Sequence, residues 1–187
     1  MYKKERIENL LIETERVGIR NLLDWMDENG FYDAPCSSKY HLATPGGLAE
    51  HSLNVLGHAL DLLEAFYGAD PAEINEEFIN AIIICSLLHD LGKTGQYGKP
   101  NYIMMPGEEP GTITFKGNKD LAYVPHEIRS VAIASQFIDL TEEEQFAILH
   151  HNGLYGDLKS IKGNETPLYM IIHFADMWAS RVTERED

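Results

Sequence analysis

The stretch that most restricts how this 187-residue chain can fold runs from Glu76 to Leu91. Ile79, Ala81, Ile82, Ile83, Ile84, Leu87 and Leu88 would place apolar side chains nearly all round a helix. A helix without a polar face belongs at the centre of a bundle of other helices. Asn80, Ser86, His89 and Asp90 interrupt the apolar segment Phe78 to Leu91, which is too short and too polar to cross a bilayer. The run ends on His89-Asp90, so the most apolar helix of the chain closes on an imidazole and a carboxylate. Burying such groups is expensive unless something pairs with them.

The rest of the chain supplies the surrounding helices. Ile7, Leu10, Leu11, Val17, Leu22 and Met26 recur at helical spacing, which predicts one helix over residues 3–28, stopped at Gly30. Residues 31–45, with Pro35, Ser37, Ser38 and Pro45, read as a loop. Leu48, Val55, Ala59, Leu62 and Phe66 mark a second helix from Gly47 to Tyr67, ended by Gly68, with Ala69-Asp70-Pro71 as a linker. After the central helix and its Gly92 cap, glycines and prolines punctuate residues 93–122. Two β-prone runs there, Asn101–Met105 and Thr112–Phe115, predict a small inserted hairpin around residues 100–116. A fourth helix is expected from His126 to Ile138. A fifth starts at the capping box Thr141-Glu-Glu-Glu144 and runs to His151. A sixth starts at Thr166-Pro167 and runs to Val182, and the charged tail Thr183–Asp187 is expected to fray. The fold class is all-α, a helical bundle with a small β-hairpin, in one domain over 1–187 whose motif-bearing core spans about 40–180.

Charge limits the partners. Fifteen basic against 30 acidic residues give a net charge of −15, which repels duplex nucleic acid and anionic membranes. A small anionic substrate is still admissible if its pocket holds a strong positive charge, and a bound metal supplies one. Two cysteines do not make a disulfide scaffold, and Cys85 sits in an apolar run as a buried thiol. Met1-Tyr-Lys-Lys-Glu-Arg is not followed by an apolar signal segment, so a cytoplasmic location is expected.

Several helices bring ionisable groups to an apolar face or to an end: His51, His89 with Asp90, His126, His150 with His151, and Asp176. Neutral imidazole and ionised carboxylate are ligands for Zn, Mn, Fe, Co and Ni, and one Asp can bridge two ions. Taken singly, each of these residues is more often structural than functional; the ordered set carries the weight. His41 and His58 read as background, and His173 as a packed core residue.

That ordered set resembles the HD superfamily of metal-dependent phosphohydrolases. Its His, His-Asp and distant Asp match His51, His89-Asp90 and Asp176. Gly46-Gly47-Leu48-Ala49-Glu50-His51-Ser52 and Leu87-Leu88-His89-Asp90-Leu91-Gly92-Lys93 match the flanks of its signature. The context of His151-Asn152-Gly153 looks most like the HD domain of a bacterial 3′-to-5′ exonuclease family, without the OB domain those enzymes carry. A cyclic-dinucleotide branch of the superfamily has Gly-Tyr-Pro after its paired histidines, and Gly153-Leu154-Tyr155-Gly156 lacks it. The resemblance implies an HD-domain bundle with one or two divalent transition metals (Mn, Fe, Co, Ni or Zn). His51, His89, Asp90 and Asp176 would hold the first. Asp90 would bridge to a second held by His126 and by His150, His151 or both. It implies hydrolysis of a nucleotide or related small phosphoester by a metal-bound hydroxide. Asp90 is then catalytic, and Lys93 either meets phosphate or is a solvated lysine at a helix end. Tyr97, Lys99, Tyr102 and Lys116 of the insertion are candidates for substrate selection, and Glu50 is either an outer partner of a ligand or a plain surface residue. The same ligand order also serves di-iron oxygenases, or a metal- and nucleotide-binding module without turnover.

Overall fold

A computed structural model describes residues 2–68, 74–153 and 162–185; Ala69-Asp70-Pro71 lies outside the described residues. Helices α1 (Tyr2–Glu13), α2 (Ile19–Glu28), α3 (Gly47–Tyr67), α4 (Glu76–Leu88), α5 (His126–Ala134), α6 (Glu142–His150) and α7 (Pro167–Trp178) form the bundle. The central position of the apolar helix is as expected: α4 packs against α1, α3, α6 and α7, and every residue from Ile82 to Leu88 is buried. Each such aliphatic side chain removed from water stabilises the fold by about 1.5–3 kcal/mol. Among the described residues, no helix is long and apolar enough to cross a membrane.

Three expectations are corrected in detail. The single helix over 3–28 is two. Thr14 Oγ1 donates back to the Leu11 carbonyl at 2.7 Å, and Glu15 and Gly18 take left-handed φ values of 52° and 89°. Gly18 also lies so close to the Phe137 carbonyl that a Cβ would stand 1.8 Å from the oxygen, so the helical pattern yields to a turn that only glycine fits. Val17, counted as part of the stripe, is 87% exposed. The central helix ends at Leu88 rather than Leu91. His89 caps it, and the chain tightens into a 3₁₀ turn, Leu91–Lys93. Gly92 allows that turn to lie directly on α5, where a Cβ would meet the His126 carbonyl at 2.1 Å. The tail does not fray at its start. After α7 the chain makes a π-helical turn, Ala179–Thr183, and delivers Glu184 into the interior, 7% exposed.

The insertion contains two antiparallel pairs. β1 (Gly95–Gln96) pairs with β2 (Lys99–Pro100), and β3 (Tyr102–Pro106) pairs with β4 (Ile113–Gly117) with Met104 opposite Phe115. The second pair lies one or two residues beyond the predicted runs. Phe115 is its buried side chain. The capping box at Thr141/Glu144 is complete, and Thr166 Oγ1 accepts from Tyr169 N at the start of α7.

Candidate metal centre

Five helices and two connections converge at one end of α4. His51 projects from α3, and His89 and Asp90 stand where α4 stops. His126 opens α5, His151 caps α6 and Asp176 comes from α7. His51, His89, Asp90 and His151 are buried to 1% exposure or less. The two Asp90 oxygens face two groups. Oδ2 lies 3.4 Å from His51 Nε2 and 3.4 Å from His89 Nε2. Asp176 Oδ1 completes that side, 3.2 Å from His51 Nε2 and 4.0 Å from His89 Nε2. Oδ1 lies 3.2 Å from His126 Nε2 and 3.6 Å from His151 Nε2.

The outer nitrogens fix where the protons are. His89 Nδ1 donates to the Ser86 carbonyl at 2.9 Å, and His151 Nδ1 to the Ile148 carbonyl at 2.7 Å. His51 Nδ1 donates to the Glu184 carboxylate at 2.9 Å. Carbonyl and carboxylate oxygens only accept, so each neutral ring presents a lone pair at Nε2. These lone pairs point at carboxylate oxygens and at one another: His51 and His89 Nε2 are 3.2 Å apart, and His126 and His151 Nε2 are 3.4 Å apart. Asp90 Oδ1 is buried without a hydrogen bond. An acceptor-only cluster of imidazoles and carboxylates is what a divalent transition metal requires, so the residues present fit one. Asp90 oxygens facing both groups suit two. Holding each ring through its Nδ1–H is also how metal-binding histidines are oriented.

The electrostatics agree. Burial would raise Asp90, but Lys93 and His89 hold its carboxyl well below the usual range. Asp176 is also held low, against burial, by His51. Without a cation the cluster recruits protons. Burial opposes charge on His51 and His151, yet Cys36, Asp176 and Glu184 raise His51 well above its ordinary value, and Asp90 raises His151. Burial pushes His89 down.

Of the seven predicted ligands, six meet here. His150 does not: neighbouring residues on a helix point about 100° apart, and the His150 ring packs on Phe146 at 4.7 Å instead. Lys93 Nζ donates to Asp90 Oδ2 at 2.5 Å. The sequence reading missed three members. Cys36 and His41 form a strap beside the cluster, with Sγ 3.2 Å from His41 Nε2 and His41 5.1 Å from His51 between ring centres. Glu184 was assigned to a fraying tail. No local pattern marks these residues; only the fold brings them in. His173 is packed as expected, its ring stacked on Tyr169 and its Nδ1 donating to the His151 carbonyl at 2.8 Å. His58 lies near the surface against Thr183 and Asp61. Glu50 pairs with Lys3 at 2.6 Å on the surface.

Two cavities adjoin the cluster. One of about 230 Å³ is lined by His41, Lys93, His151 and Asp176. One of about 670 Å³ is lined by His126, Lys93 and residues of the insertion. Of the four selection candidates in the insertion, Tyr102 lines that cavity. Tyr97 is 85% exposed, Lys99 donates to the Asp120 carbonyl, and Lys116 lies elsewhere on β4.

Residues 48–177 match the family model of the HD domain. The chain is 31% identical over 155 residues to dihydroneopterin 2′,3′-cyclic phosphate phosphodiesterase of Methanocaldococcus jannaschii, covering 81% of this chain and 53% of that protein. It is 28% identical over 130 residues to the 3′-5′ exoribonuclease YhaM of Geobacillus sp. (strain WCH70), covering 67% of this chain and 35% of that protein. The chain thus spans about half the length of one relative and a third of the other. No solved structure matches it.

Proposed function

The chain belongs to the HD domain family, and from that premise we propose that it is a metal-dependent phosphohydrolase acting on a nucleotide or a related small phosphoester. One observation carries the reading: the Nε2 lone pairs of His51, His89 and His151 converge on Asp90 and Asp176, while Asp90 Oδ1 is buried and bonded to nothing. In this reading His51, His89, Asp90 and Asp176 hold one Mn, Fe, Co, Ni or Zn ion. Asp90, His126 and His151 hold a second. Bound there, such ions neutralise charge on phosphoryl oxygens and acidify water.

The chain's own groups do the rest. Asp90 and Asp176 stay ionised. Glu184, itself fixed by Asn54 Nδ2 at 2.9 Å, holds the His51 ring by its Nδ1–H. Lys93 lines both cavities and meets a substrate phosphate as a point charge. A relative named for a small cyclic phosphate supports the small-molecule reading, and the charge of −15 disfavours a long polyanion. Two buried free thiols suit a reducing compartment, and we read residues 1–187 as one cytoplasmic domain.

The test is Asp90→Ala, assayed on 2′,3′-cyclic nucleoside phosphates and nucleotides with each metal. Loss of metal and of turnover is expected, with the helical circular dichroism kept; full activity overturns the reading. His126→Ala is expected to lower the metal content from two to one, and an unchanged content removes the second ion. Oxygen uptake coupled to product formation by the iron-loaded protein would favour an oxygenase instead.

A further inference from the structure

The fold concentrates positive charge beside the cluster; Lys93 is engaged by Asp90 there, and the other cations are not. In a chain with 30 acidic and 15 basic residues, the 670 Å³ cavity is lined by three cations, Lys93, Lys119 and Arg129, and by one carboxylate, Glu127. Glu127 is engaged, 3.3 Å from His126 Nδ1. Arg129 is the anomaly. It is 3% exposed, yet its guanidinium meets only neutral oxygens: Nη1 donates to Asn101 Oδ1 at 3.2 Å and Nη2 to the Ala122 carbonyl at 2.8 Å. Its Nε is buried with no partner. A buried cation without a counter-ion is unfavourable, and a bound anion removes the imbalance. Lys119 is exposed and makes no ion pair among the described residues. The first turn of α5 borders the same cavity, and its N-cap residue Pro125 provides no side-chain hydrogen bond to that turn.

We propose that this cavity is a second anion subsite, centred on Arg129 and Lys119 with Asn101, for a phosphate group that the substrate carries in addition to the phosphoester being hydrolysed. His126 and Lys93 line the same cavity, so one molecule spans cluster and subsite. A volume of 670 Å³ holds a nucleotide-sized ligand. The substrate class is thereby narrowed to a nucleotide or small phosphoester with two anionic groups. The proposal rests on the phosphohydrolase reading for the position of the reacting phosphate.

The experiment compares, on the manganese-loaded full chain, adenosine 2′,3′-cyclic phosphate with the same compound carrying a 5′-phosphate. The second phosphate is expected to lower KM about tenfold, a change of 1.4 kcal/mol, with kcat little changed. Arg129→Gln and Lys119→Ala are each expected to bring the two KM values within about twofold. Lys116→Ala, on β4 and outside the cavity lining, is expected to keep the difference. If Arg129→Gln does not fold, Lys119→Ala, at an exposed position, decides. Calorimetry with adenosine 3′,5′-bisphosphate against adenosine 5′-monophosphate reads binding without turnover, and about tenfold tighter binding of the bisphosphate is expected. No turnover of either substrate with the binding preference intact sinks the phosphohydrolase reading and leaves the subsite. Turnover of both substrates with equal KM and no binding preference overturns the subsite and leaves the phosphohydrolase. A preference that survives both variants also overturns it.

Discussion

The helical bundle and the inserted hairpin border the same cavity and are built by opposite rules. On the bundle side, His51, His89, Asp90 and His151 are almost wholly buried, and each ring is held by an outer oxygen. On the hairpin side, Ile103, Met104, Met105 and Ile113 are exposed, and Phe115 is the side chain of that strand pair that is buried. Charged ligands must be placed within a few tenths of an ångström, which only a packed frame does. Exposed connections are under no such constraint and tolerate more change.

The sharpest way to break this contrast is to open a hole beneath the cluster. Leu87 is fully buried two residues before His89. Leu87→Ala is expected to lower unfolding free energy by about 2–5 kcal/mol. Metal retention should fall with it, because α4 positions both His89 and Asp90. Urea unfolding with metal analysis checks both, and a loss below about 1 kcal/mol with full metal content contradicts the picture of α4 as the frame.

The contrast also explains what could be read in advance. The bundle and six clustered residues were legible because helical spacing and an ordered His/Asp set are local patterns. His150 against His151 was not, since adjacent positions differ only in direction around the helix. Cys36, His41 and Glu184 were not, because their place depends on how a loop and a π-helical turn pack against α3. The break between α1 and α2 hid behind a continuous apolar pattern that Gly18 interrupts for a tertiary reason. In the insertion, glycine and proline announced a hairpin, but its register, and the small β1–β2 pair, depend on pairings that punctuation does not encode.

Two smaller effects refine the bundle side. Glu184→Gln keeps the size of the side chain and removes the charge that holds His51 Nδ1. A drop in metal affinity of about 10–100-fold is expected, as for the loss of other such supporting groups, with little change in circular dichroism. Unchanged affinity makes Glu184 a packing residue only. Acid works at the same rings. In the metal-free protein His51 and His151 are raised above the ordinary histidine value of about 6.5. Protons therefore compete with metal from above that pH, and affinity falls as pH falls, because each ring must lose its Nε2 proton to bind. Metal content after dialysis between about pH 8 and 5.5 should decline steadily; content that rises with acid reverses the assignment.

The smallest expected effect lies on the hairpin. Met104 pairs with Phe115 across β3 and β4 but is itself 54% exposed. Met104→Ser removes apolar area that is mostly in water already, so the change in unfolding free energy should stay within about 0.5 kcal/mol. The residue does not line the cavity beside the cluster, so the preference for a second phosphate should persist. Phe115→Ala, on the facing strand, is the companion: it is 5% exposed and is expected to cost about 3 kcal/mol or more. A large loss from Met104→Ser would mean that the exposed face of the hairpin is covered in solution. A negligible loss from Phe115→Ala would mean that the Phe115 side chain is not buried in solution. Either result removes the distinction between a packed helical frame and a hairpin held by one buried side chain.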